Sequence, residues 1–429
     1  MAVSAACAVR PAFVGRAALV PLGAALALAA CTPEPGGETL GARSALAPPE
    51  VDWLALGDAQ RGHALAERYQ CARCHEEPRL AQPTQKQRCF GCHDDLLSGR
   101  LEAPPEVLDS FVPHIADLRR APSLDGAGRL LRPEWLVAFL QAPHDLRPSM
   151  VAMMPRLAIA RHEAIDLAAW LGEGAAPEPA LAVTTGDVER GRQAYLARGC
   201  AGCHAFAGAG VPEPSPLPRG AARGEHDAPA VELAPDLRHA RVRLRPELVA
   251  TWIRAPASLR PATLMPNLGI AEAEAADLAA FVLRAPLAEP EPSPPRPRLP
   301  LLERPVSFTE VEQRVFRRSC WHCHSQPAYG AGDGGPGNTG GFGFAGKRID
   351  LSSYEAILGG YVGDDGQRAS LFARAPGGDA PLVVAAMLAR AEELAGRSGP
   401  VRGMPLGLPP LEPEQIQLVE SWIAQGRPR

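Results

Sequence analysis

Four short stretches of this chain repeat one arrangement of reactive side chains: Cys71-Ala-Arg-Cys74-His75, Cys89-Phe-Gly-Cys92-His93, Cys200-Ala-Gly-Cys203-His204 and Cys320-Trp-His-Cys323-His324. On a helical turn, positions i, i+3 and i+4 share one face, so each box presents two thiols and an imidazole together. Two such thiols can each form a thioether with a haem vinyl group, and the imidazole then stands over the iron as its proximal ligand. A zinc site or a thioredoxin-like dithiol shares the cysteine spacing but does not require a histidine directly after each second cysteine. Random placement of 10 cysteines and 11 histidines in 429 residues would yield about 0.006 such boxes, so four are not accidental. The boxes use every cysteine except Cys7 and Cys31.

Two internal repeats position the boxes. GDAQRGHALAERYQCARCH (Gly57–His75) matches GDVERGRQAYLARGCAGCH (Gly186–His204). Further on, RPEWLVAFLQAPHDLRP (Arg132–Pro148) matches RPELVATWIRAPASLRP (Arg245–Pro261), and MPRLAIARHEAIDLAAWL (Met154–Leu171) matches MPNLGIAEAEAADLAAFV (Met265–Val282). Each repeat runs helix, box, loop, helix, Met-Pro, helix. The boxes and this order resemble the c-type cytochromes, in particular the small monohaem cytochrome c fold, whose terminal helices cross beside the haem. Gly62 and Gly191 are placed to permit that close crossing, against Leu167 and Trp170 or Leu278 and Phe281. The resemblance implies Met154 and Met265 as sixth iron ligands, because a soft thioether before Pro stands where the family places one. Met150 and Met153 are rivals in the first repeat.

The first repeat is longer between His75 and Pro122 than the second is between His204 and Pro235, and the extra length holds the Cys89–His93 box. The insertion therefore adds a haem close to the first one. This second box has no Met of its own. Candidate sixth ligands are His114, the first choice, then His63, His144 and His162; His226 occupies a place similar to His114 in a repeat without a second box, which weakens the case for His114.

Pro286 to Pro305 is rich in Pro and Glu and is expected to be a semi-rigid, polyproline-like linker. After it, FTEVEQRVFRRSCWHCH resembles the start of a third, divergent cytochrome c module, with Val311 at the glycine position. The Gly-rich stretch that follows lacks a GKS/T signature and a strand–loop–helix context, so a haem-wrapping loop is preferred to a phosphate loop. Met404-Pro405 precedes an amphipathic helix over Glu412–Gln425, which implies Met404 as a ligand, with Met387 its rival. His322 is expected on the surface, turned away from its own iron.

The formal charge of −4 gives no reason to expect a nucleic acid partner. Residues 1–30 have a basic start and a short apolar run, the pattern of an export signal. Leu28-Ala29-Ala30-Cys31 resembles the lipobox of bacterial lipoproteins, which implies cleavage before Cys31 and acylation of its thiol. Thr32 in the following position leans toward the outer membrane. Residues 31–50 are expected to form a flexible tether.

The expectation is a mainly α chain of three cytochrome c-like helical modules in tandem, joined by Pro-rich linkers. The modules are a dihaem one over 51–176, a monohaem one over 180–286, and, after the 287–305 linker, a divergent monohaem one over 306–429. Four covalent haem c groups would be attached at Cys71, Cys74, Cys89, Cys92, Cys200, Cys203, Cys320 and Cys323, with His75, His93, His204 and His324 as proximal ligands. The expected work is electron transfer between redox protein partners at the periplasmic face of a bacterial membrane, with no substrate chemistry of its own. Two alternatives stay open: reduction of peroxide or a nitrogen oxide at an open second haem, and service as an electron-wiring subunit of a respiratory complex. Cys31→Ser is expected to release the protein from membranes or block its processing, as fractionation and intact mass of the mature protein will show.

Overall fold

The computed structural model describes residues 55–84, 87–100, 105, 121–144, 146–148, 154–173, 186–214, 230–289, 294, 296–326, 335, 337–397 and 399–429. The export signal, Cys31, the tether, His114, His226, Met150 and Met153 lie outside them. Helices dominate, as expected from the sequence. The principal ones are α1 (Ala59–Arg68), α2 (Cys89–Leu97), α3 (Pro133–Gln141), α4 (Arg161–Gly172), α5 (Val188–Ala197), α6 (Pro246–Arg254), α7 (Glu272–Arg284), α8 (Leu382–Leu394) and α9 (Pro413–Ala424). Strands β1 (Tyr361–Val362) and β2 (Arg368–Ala369) form a small antiparallel ribbon. Among the described residues no helix is long and apolar enough to cross a membrane.

In the first repeat α1 crosses α4, and in the second α5 crosses α7. Glycine makes both crossings possible. A Cβ on Gly62 would lie 2.1 Å from the Asp166 carbonyl oxygen and 2.7 Å from the Cβ of Trp170. On Gly191 it would lie 2.0 Å from the Asp277 carbonyl oxygen and 2.8 Å from the Cβ of Phe281. The aromatic partners are those expected; the nearest backbone belongs to Asp166 and Asp277, not to the neighbouring leucines.

The same two aspartates lock the crossings. Asp58 caps α1, and its own amide donates to Asp166 at 2.8 Å; Arg61 donates to both Asp166 oxygens at 2.8 and 2.9 Å. Asp187, Arg190 and Asp277 repeat this arrangement in the second crossing. The guanidinium of Arg61 holds the Asp166 carboxyl below the usual carboxylate range, and Arg190 does the same for Asp277. Behind each crossing lies an apolar cluster. The first contains Leu136, Leu167 and Trp170, and the second Tyr195, Phe206 and Phe281.

The two repeats meet through equivalent residues. Leu131 pairs with Leu244 in an antiparallel bridge. Arg132 N–H donates to the Arg243 carbonyl at 2.8 Å, and Arg245 N–H to the Leu130 carbonyl at 3.0 Å. Arg132 and Arg245 open matching repeat segments, so the seam is reciprocal, like an interface between two copies. Leu130, Leu248 and Leu259 close it with buried apolar surface.

The C-terminal segment solves the helix crossing differently. Its entry helix is built from Phe308–Val311, the π-helical turn Glu312–Phe316 and Arg317–Ser319. Val311, at the glycine position, is buried in a core with Phe308, Phe316 and Trp422 of α9. Aromatic packing, with Phe308 at 5.6 Å from Trp422, replaces backbone-to-backbone approach. The Pro-rich stretch is no free spacer from Arg296 onward: Arg298 pairs with Glu420, and Leu302 N–H donates to Ser421 Oγ at 2.9 Å. Polyproline-like chain leaves its polar groups unpaired, and the side chains of α9 satisfy them.

The Gly-rich stretch also reaches the first repeat. Positive φ at Gly340, Gly341 and Gly343 folds it tightly enough to pack half-buried Phe342 and Phe344 against the core of the first repeat. Arg73 lies over Phe342 at 5.3 Å and Arg402 over Phe344 at 4.6 Å. A Cβ on Gly343 would strike the Tyr69 ring at 2.5 Å.

Gly191→Ala should lower stability by about 1–3 kcal/mol, the usual penalty for overpacking, despite alanine's better helix propensity. Gly378→Ala, with nothing within 4 Å of the added carbon, should be nearly neutral. Urea denaturation of both variants will check this.

Candidate functional site

Three boxes share one local geometry. A helix ends and the chain turns tightly at the first cysteine, after left-handed Gln70 in the first repeat and Gly199 in the second. His75 N–H then donates to the Cys71 carbonyl, His204 N–H to the Cys200 carbonyl and His324 N–H to the Cys320 carbonyl, each at 2.9 Å. This i to i+4 bond holds the imidazole on the face of the first thiol. The remaining box opens the regular helix α2. None of the described cysteines forms a disulfide.

Each repeat supplies a partner that sequence reading did not assign. His75 Nδ1 lies 2.7 Å from the Pro122 carbonyl oxygen, and His204 Nδ1 lies 2.9 Å from that of Pro235. A carbonyl can only accept, so Nδ1 carries the proton. Nε2 then keeps its lone pair for a metal, the arrangement that orients a ligating histidine. Burial pushes both imidazoles below the usual histidine range, which favours the neutral, ligating form. The signal was present in the sequence: an Ala-Pro pair follows each box at the end of its loop.

The third box is held differently. His324 Nδ1 is buried without a hydrogen-bond partner among the described residues, and burial pushes the imidazole down to about 4. A Cβ on Gly337 would lie 1.7 Å from its Cε1. The Gly-rich stretch therefore wraps this imidazole while its two phenylalanines reach the first repeat.

The methionines separate into two kinds. Met387 is buried in the C-terminal core, the place of a packing residue. Met154, Met265 and Met404 are half-buried. Trp252 Nε1–H donates to Met265 Sδ at 3.1 Å, and Met404 N–H donates to the Ala386 carbonyl at 2.8 Å.

The boxes are neighbours. Cys74 lies beside Cys89, and that neighbour together with burial raises the Cys74 thiol well above the usual range. His93, buried in α2, faces His322 with ring centres 6.3 Å apart and planes at 47°. The other histidines considered for the second box are occupied elsewhere or exposed. His63 Nε2 lies 2.9 Å from the Arg79 carbonyl, with the ring edge-on to Trp170. His144 packs against Phe139 and His239. His162 is exposed on α4.

At the seam between the repeats, arginines crowd His75 and His204. Arg243 Nε is buried without a hydrogen-bond partner. Burial, then Arg147 and Arg260, push the Arg243 guanidinium down to about 10. Arg243 acts electrostatically on His204, and Arg260 on His75. Buried cations so placed call for carboxylates, and a haem carries two. Thiol pairs, neutral imidazoles, half-buried thioethers and sealed guanidiniums together fit haem c. Cys200, Cys203, His204 and Met265 would hold one group, with Arg243 near its carboxylates.

Residues 188–286 match the cytochrome c family. That stretch is the second repeat, from α5 through α7. The chain thus contains a cytochrome c domain, with the covalently bound haem c and iron that such a domain implies, and is a haem-based electron-transfer protein. No curated protein and no solved structure matches the chain.

Arg243→Met removes a buried positive charge that favours the reduced haem. The potential of the haem at His204 should fall by on the order of tens of millivolts, measured by spectroelectrochemical titration of the full chain.

Proposed function

We propose that the chain is an exported, lipid-anchored tetrahaem cytochrome of three cytochrome c-like modules, which relays electrons between redox protein partners on the periplasmic side of a bacterial membrane. The observation that carries this reading is the adjacency of the boxes. Cys74 touches Cys89, His93 faces His322, and the arginine seam lies between His75 and His204. Four attachment sites so arranged form a continuous path.

Bound haem supplies a one-electron couple at its iron. The chain's residues do the rest. The cysteines would hold each group, the imidazoles of the boxes would ligate its iron, and the Pro122 and Pro235 carbonyls hold His75 and His204 in the ligating tautomer. Met154, Met265 and Met404 would complete three irons as thioether ligands and raise their potentials. Trp170, Phe281 and Trp422 exclude water from the cores behind them. Periplasmic placement and the anchor rest on the export signal and Cys31.

Intact mass of the denatured, fully matured protein should show four haem additions. Three or fewer would overturn the tetrahaem reading.

A further inference from the structure

We propose that His322, which lies inside the third box, is the second axial ligand of the haem attached at Cys89 and Cys92, opposite His93. The inference rests on the reading that the second box carries a haem, and it goes beyond that reading by assigning its iron a ligand from a distant part of the chain.

The separation of the two rings is the leading observation. Their centres lie 6.3 Å apart. Two imidazoles that share a direct nitrogen-to-nitrogen hydrogen bond have centres about 5 Å apart. Two imidazoles bound to one metal through bonds of about 2.0 Å have centres about 6 Å apart. The observed gap is too wide for the first arrangement and suits the second. Tilted ring planes, here at 47°, are no obstacle, because each ligand rotates freely about its own metal–nitrogen bond.

The local structure explains why His322 faces away from its own box. The turn of the third box sends Cys320 and His324 to one face, with the His324 amide bonded to the Cys320 carbonyl. His322, two residues before His324, points elsewhere and is exposed. Its predecessor Trp321 is buried, and the indole N–H donates to the Leu351 carbonyl at 2.8 Å. That anchor fixes the backbone from which His322 projects.

Long-range packing then brings the two boxes together. Phe342 and Phe344 pack against the core of the first repeat, and Phe342 N–H donates to Gln70 Oε1, beside the first box. The first box in turn touches the second through Cys74 and Cys89. Docking of the C-terminal segment therefore completes the iron site of the insertion. Two residues of one turn, His322 and His324, would serve two different irons, giving a short covalent route between them. Two imidazoles would also set the second haem below Met-ligated ones in potential.

The test uses the full chain, with haem count by intact mass first. Wild type should carry four haems, show a low-spin signal from two axial imidazoles in electron paramagnetic resonance, and leave that haem unreactive to carbon monoxide. His322→Ala should keep four haems, lose that signal, and let one haem in four bind carbon monoxide. Added imidazole should restore the low-spin state, which a merely structural defect would not allow. Four haems with unchanged spectra in His322→Ala overturn the proposal but leave the tetrahaem reading intact. Loss of the signal on His114→Ala instead of His322→Ala also overturns it. A wild-type protein without haem on Cys89 and Cys92 defeats both. If His322→Ala fails to mature, His322→Met provides the second arm. It should mature and convert one signal from two imidazoles to imidazole plus thioether, and an unchanged spectrum overturns the assignment.

Discussion

Backbone-to-backbone contact at Gly62 and Gly191 is the constraint on which the two repeats depend. Each glycine lets a helix rest directly on the carbonyl of an aspartate in the crossing helix, closer than any side chain would allow. The aspartate side chain then takes the amide and guanidinium of the N-terminal turn. One contact thus fixes crossing distance and register together. Each box begins where the first of the two helices ends, so its orientation follows from the crossing. The C-terminal segment shows what happens without the glycine. Val311 and a π-helical turn widen the approach, and aromatic rings around Trp422 fill the space.

The seam between the repeats has a different logic. Its backbone pairing is reciprocal, and its apolar closure by Leu130, Leu248 and Leu259 is small. Arginines gather there against the cost of burying charge. Such an arrangement is unfavourable for a bare polypeptide and reasonable beside anionic groups. A chain with few aromatic residues and crowded cations gains both apolar mass and countercharge from haem.

The C-terminal segment adds the long-range organisation. Its Gly-rich stretch performs two tasks at once: Gly337 backs the His324 imidazole, and Phe342 and Phe344 reach the core behind the first box. The Pro-rich chain before it is tied along α9 by Arg298 and Leu302. An array of independently mobile domains would not hold His93 against His322. Packing of the C-terminal segment against the first repeat does.

Much of this was legible in the sequence because it is written locally or by repetition. The box at Cys200–His204 falls in the stretch that matches the cytochrome c family, and its spacing alone pointed there. Matching segments mark the equivalent helices, and Gly62 and Gly191 stand out as the small residues where helices must approach. Proline after each loop marked the carbonyls that meet His75 and His204, although their role needed the fold to become visible. Other features had no local trace. The partners of His322, Phe342 and Arg243 lie on segments far away in the chain, and helical periodicity says nothing about which exposed face meets which. His322 read as a surface residue, and it is one until its neighbour is known. The sequence by itself determined the reactive groups, the helices that carry them and the repeated crossing, since spacing and side-chain size govern those. Only the tertiary structure decided which boxes adjoin and where the arginines collect, because burial and docking sum weak contacts over the whole chain and leave no periodic mark.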